Sequence, residues 1–127
     1  MKESGAVCKS GFNFFMLPDE IFNMDLNAGE IALYAFLMRM ENRKTYTCYP
    51  AFKTIGEVLK MGSKNTVMKY VRQLEEKELI ETKRTIVEHH DGALRNGNLM
   101  YKILPINQAV DAFHRRQLYN YGRRKKH

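Results

Sequence analysis

Lys64, Asn65, Met68, Lys69 and Arg72 recur pairwise at intervals of three and four, and four of these five side chains bind charged or hydrogen-bonding groups. Such intervals place side chains on one face of a helix. Val67, Val71 and Leu74 occupy the complementary positions and form the apolar stripe that must turn inward. Ammonium and guanidinium groups bind phosphate, and an amide or guanidinium can grip two atoms of a base edge at once. Asn65 is the candidate for a bidentate contact with adenine, and Lys69 or Arg72 for one with guanine. Phosphate contacts would use the same cations.

This helix carries its charges in the reverse of the order its dipole favours. Lys64 and Lys69 come early, whereas Glu75, Glu76 and Glu78 come late. Each such placement opposes the dipole by roughly 0.3–1 kcal/mol. A polyanion meeting the first half of the helix would reverse that balance. The acids, with Glu81, then sit at the end away from it, their repulsion screened over roughly 10 Å. The alternative is a solvated surface helix on which i,i+4 pairs such as Arg72 and Glu76 add a few tenths of a kcal/mol.

Other residues extend the candidate surface. Ser63 can cap the helix and leave nearby amides able to hold a phosphate. Lys53 and Thr54 in the preceding helix are candidates for phosphate contact, and Arg84, His89, His90 and Arg95 could reach a neighbouring groove from a hairpin. "HHD" at 89–91 suggests metal or acid–base chemistry, but neighbouring strand residues point to opposite faces and no HxH or HxxxH spacing accompanies it. No metal site is expected there. The chain has no nucleophile elbow, no GxxxxGK and no matched acid and base, so neither catalysis, a cofactor nor a small-molecule substrate is expected.

The elements that must position these residues are legible in order. "FNFFMLPDEIFNM" begins strand-like and turns, at Pro18, into a brief helix that acts as a packing arm. Asn27 and Glu30 form a capping-box pattern before the apolar run Ile31–Met38, which predicts a central helix. "NRKTYTCYP" reads as a loop, and Pro50 as the opening of a helix whose Phe52, Ile55 and Leu59 share a face. Gly62 breaks the pattern and Ser63 starts the charged helix. "LIETKRTIVE" and "LMYKIL" then read as partner strands of one hairpin across "HHDGALRNGN". "NQAVDAFHRRQLYNY" reads as a short closing helix with Val110 and Phe113 on one face, followed by "GRRKKH" as a disordered basic arm.

Helix, helix, turn, helix and hairpin is the order of a winged helix-turn-helix domain. "TCYPAFKTIGEVL" and "SKNTVMKYVRQLEEKELI", with the leading "FFMLPDEIF" and "IALYAFLMRMEN", resemble the winged-helix domains of plasmid, phage and transposon replication initiator proteins and related mobile-element helix-turn-helix proteins. The likeness runs from about Phe12 to Arg84. It departs at Ala51, where the family usually has a capping Ser, and in a Leu59–Val67 link one residue longer than the minimal motif. The resemblance implies an α+β, mostly α fold: a three-helix core, a two-stranded wing, a short N-terminal arm and a C-terminal helix. It also implies sequence-specific binding of double-stranded DNA, in replication initiation or transcriptional regulation. A protein-docking adaptor within a replisome or regulatory complex is the alternative. A homodimer on paired half-sites is a further expectation.

Bulk properties fit this reading. The 127 residues suit one domain: 1–11 as a flexible N-terminus, 12–106 as the winged domain, 107–127 as closing helix and basic tail. A net charge of +7 favours a polyanionic partner, although more than half of the excess lies in "GRRKKH". No stretch approaches the roughly 20 apolar residues of a membrane span, and Cys8 and Cys48 lack CxxC spacing. The expectation is a cytoplasmic protein with free thiols.

Overall fold

The computed structural model describes residues 5–7 and 13–125, and the side chains of 14–122. Asn27 starts the first long helix as its sequence predicts. Its side chain accepts from the Glu30 amide at 2.9 Å, and Glu30 returns the bond to the Asn27 amide at 2.8 Å. The resulting helix α1 (Ala28–Met40) buries Leu33, Tyr34, Phe36 and Leu37. Helix α2 (Phe52–Leu59) buries Ile55, and α3 (Lys64–Glu76) buries Val67, Val71 and Leu74. Ile21 and Met24, from the one-turn helix Asp19–Asn23 and its cap, close the core on one side. Leu79, Ile80, Tyr101 and Ile103 close it on another.

Glu30 is 1% exposed, and its charge is answered by Lys77, whose Nζ lies 3.0 and 2.9 Å from the two carboxylate oxygens. The same ammonium donates to the Asp25 carbonyl at 3.0 Å. Lys77 is the C-cap of α3, so this pair ties the start of α1 to the end of α3 and sets one cation against the negative end of the α3 dipole. Gly29 completes the junction. A Cβ there would overlap the Tyr70 ring, so with this placement of Tyr70 glycine allows the close approach of α1 to α3.

The turn between α2 and α3 accommodates its extra length through a left-handed residue. Lys60, the C-cap of α2, has φ 58° and ψ 38°, and the Met61 amide donates to the Gly56 carbonyl at 2.9 Å. Lys60→Gly should therefore raise stability by about 0.5–1 kcal/mol, read as a higher denaturation midpoint at unchanged slope. Ala51 caps α2 without any side-chain bond, and the helix starts at Phe52 rather than Pro50. Pro50 is buried in the approach to the helix instead.

Two further expectations are corrected. The segment read as a connecting loop contains strand β3 (Thr47–Cys48), which pairs antiparallel with β7 (Met100–Ile103). Nothing in two residues of sequence announces a strand whose partner lies more than fifty residues away. The basic tail is not wholly an arm, because helix α4 (Ile106–Lys125) continues through Arg123–Lys125. Gly122 reads as a stop but is carried within the helix; Lys126 and His127 lie outside the described residues. The described part of the N-terminal segment, β1 (Gly5–Val7), pairs with β2 (Asn13–Phe15).

The hairpin is divided rather than continuous. β4 (Ile80–Lys83) pairs with β7, and β5 (Ile86–Glu88) pairs with β6 (Leu94–Asn96) as a separate two-stranded unit. Between them Arg84 and Thr85 on one side face Gly97, Asn98 and Leu99 on the other, a mismatch of one residue that breaks the ladder. The joint is pinned: the Thr85 hydroxyl donates to the Asn98 carbonyl at 2.5 Å, the Gly97 amide to the Thr85 carbonyl at 2.9 Å, and the Asn98 side chain to the Tyr49 carbonyl at 3.0 Å.

Candidate nucleic-acid interface

The Ser63 hydroxyl accepts from the Thr66 amide at 3.2 Å and so starts α3 where the sequence predicts. With Val67, Val71 and Leu74 fully buried, Lys64, Asn65, Lys69 and Arg72 are left exposed and Met68 half-buried. This face forms one wall of an open cleft of about 890 Å³. Arg84, Asn96 and Asn98 come from the hairpin side, and Phe52 and Leu99 supply apolar lining. Four cations line the cleft and no carboxylate does. Lys64 lies over the Phe52 ring at 5.1 Å and Lys69 over the Tyr70 ring at 5.5 Å, which holds both stems near the cleft without neutralising them.

Two of the acids at and beyond the end of α3 are engaged elsewhere. Glu75 accepts from the Thr82 hydroxyl at 2.7 Å, and Glu78 faces Gln108 at 3.2 Å and Arg115 at 3.4 Å. The Arg72–Glu76 ion pair considered above does not form, since among the described residues Arg72 has no carboxylate within 4.0 Å. Charge is thereby sorted along the helix, with cations at its start and, at its end, Glu75 bonded to Thr82 and Glu76 exposed.

A turn of four residues (Lys60–Ser63) joining α2 to α3, with α3 presenting a polar face beside a hairpin, gives the arrangement a recognisable form. Residues 25–80 match the helix-turn-helix domain family. The fold is similar to that of a possible transcriptional regulator from Methanosarcina mazei Go1, with a TM-score of 0.53 at 16% identity, covering 98% of this chain and 94% of that one. This likeness establishes a shared fold. The reduced form of the transcriptional regulator YodB from B. subtilis is also similar, at TM-score 0.44 and 18% identity over 83% of this chain and 90% of that one, too loosely to bear on the argument. No curated protein matches the chain. In the helix-turn-helix, α2 is the first helix, α3 the second, and β4–β7 the wing.

Not every predicted residue lies in the cleft of this helix-turn-helix. Lys53 and Ser63 line a shallower depression beyond Lys64 that also contains Glu57. Thr54 is exposed on α2 and lines neither. His89, His90 and Arg95 lie at the hairpin tip, where the His89 carbonyl accepts from the Gly92 amide at 2.9 Å and Asp91 faces Arg95 at 3.7 Å. Among the described residues no three His, Cys, Asp or Glu side chains are grouped to hold a metal. Cys48, buried in β3, has its pKa pushed up to about 11 by burial and then by Glu41, which keeps the thiol protonated at neutral pH. No helix among the described residues is long and apolar enough to cross a membrane.

Asn96 and Asn98 were missed in the sequence, as was Phe52's place beneath Lys64. The wing asparagines sit in a Gly- and Asn-rich segment that reads as a plain turn. Only the divided hairpin turns them toward α3.

Proposed function

We propose that this chain binds double-stranded DNA sequence-specifically, with α3 in the major groove and the wing at the adjoining groove. The observation that carries the reading is the cleft: Lys64, Lys69, Arg72 and Arg84 line it with no acid among them. A duplex offers matching phosphates along its grooves, and entry by the first turns of the second helix is the usual docking of this motif. The match to a helix-turn-helix family over 25–80 supports the same partner. The resemblance of the α2 and α3 segments to replication initiators supports a mobile-element origin or promoter as the target. Two copies on adjoining half-sites extend the reading, supported by Leu118, 72% exposed on the outer half of α4.

The test is selection of bound fragments from a random duplex pool, followed by titration across salt concentrations. A recovered motif and a log K that falls steeply with log salt are expected. Indifference to every duplex at low ionic strength would reject this reading in favour of a protein-docking face. Asn65→Ala should relax preference at a single base pair, by about 1–3 kcal/mol of discrimination. Equal loss on all sequences would make Asn65 a backbone contact.

A further inference from the structure

Resting on the duplex-DNA reading, the geometry points to a further activity: the distal hairpin β5–β6 is an apolar wedge whose Ile86 and Leu94 enter the minor groove and bend the duplex. The faces of the hairpin follow from its register. In β4, Ile80 is buried and Thr82 bonds Glu75 of α3, so this side of the sheet faces α3. Beyond the break, the register of β5 with β6 carries the assignment. Ile86 stands directly opposite Asn96 and shares its face; Asn96 lines the cleft, as do Arg84 and, at the break in the ladder, Thr85 and Gly97. Leu94, two residues from Asn96, shares the face. Val87 and Arg95, opposite one another, lie on the other, and a Cβ built on Gly97 would meet Val87 at 2.8 Å, in keeping with that assignment.

Ile86 and Leu94 are 67% and 68% exposed, on a hairpin with no core beneath it. They continue the cation-lined wall outward, past Arg84, to where a duplex seated on α3 presents its next groove. The cations and asparagines beside this face favour a polyanion, and on the duplex already assigned to α3 the minor groove offers apolar sugar edges and base steps into which Ile and Leu can wedge. A wedge needs an anchored base. The bonds of Thr85, Gly97 and Asn98 that brace the joint to Tyr49 supply one.

The experiment uses the full chain on an end-labelled duplex of roughly 30 base pairs recovered by the selection, with end-to-end energy transfer as the readout. The wild-type complex should be bent by roughly 20° or more. Ile86→Thr with Leu94→Thr replaces both exposed apolar side chains by a polar residue that suits a strand. This double variant should bind several-fold more weakly, at an unchanged salt slope, with an end-to-end distance close to that of free duplex. Val87→Thr on the opposite face should bend as wild type does. A straight wild-type complex, or an equally bent complex of the double variant, overturns the wedge while leaving DNA binding intact. Failure of the wild-type chain to bind any duplex overturns the DNA reading itself, and the wedge with it.

Discussion

Replacing Lys64, Lys69 and Arg72 together by alanine is expected to weaken duplex binding by two to three orders of magnitude, at roughly tenfold for each charge-assisted hydrogen bond to the duplex that disappears. The salt dependence should change with it. Each phosphate no longer neutralised flattens the slope of log K against log salt by roughly 0.9, so the triple variant should lose up to roughly 2.7 units. The three side chains are exposed or rim a cleft and take no part in the core, so the denaturation midpoint should hardly move. Their removal also lifts two cations from the positive end of the α3 dipole, which offsets any small loss of helix stability. A triple variant with wild-type affinity and slope would remove α3 from the interface.

The second large effect concerns the scaffold. Lys77→Met should destabilise the chain by about 3 kcal/mol, the low end of the range for removing one partner of a buried ion pair. Glu30 is 1% exposed and would keep only the Asn27 amide as a partner, whereas Lys77 is 25% exposed, so water can enter as the ammonium leaves. Adding Glu30→Met should recover part of the loss, because an apolar pair carries no desolvation penalty, less about 1 kcal/mol for the capping bond to the Asn27 amide. A double-mutant cycle by denaturant unfolding measures the coupling. A loss below about 1 kcal/mol for the single variant would mean that Glu30 finds another partner. Because the pair joins the start of α1 to the end of α3, its loss should also loosen the helix that carries the cleft.

The sequence of α3 settled much of the candidate site on its own terms. Val67, Val71 and Leu74 at i, i+4 and i+7 leave one way to turn the helix, and that orientation exposes Lys64, Asn65, Lys69 and Arg72. Ser63, Asn27 and Glu30 set the helix starts by local hydrogen bonds that span three residues, a distance over which the chain's own geometry decides the outcome. The inverted charges of α3 were legible for the same reason. They belong to one element and need no knowledge of its neighbours.

What the tertiary structure alone decided is where separate elements meet. Arg84, Asn96 and Asn98 face α3 because the one-residue mismatch between Arg84–Thr85 and Gly97–Leu99 divides the hairpin, a property of two strands together. Strand β3 exists only because β7 offers it an edge, and Glu30 meets Lys77 only because α1 and α3 cross at Gly29. Periodicity in a sequence reports which face of an element is buried. It carries no information about which partner buries it, and that choice rests on packing between residues far apart in the chain.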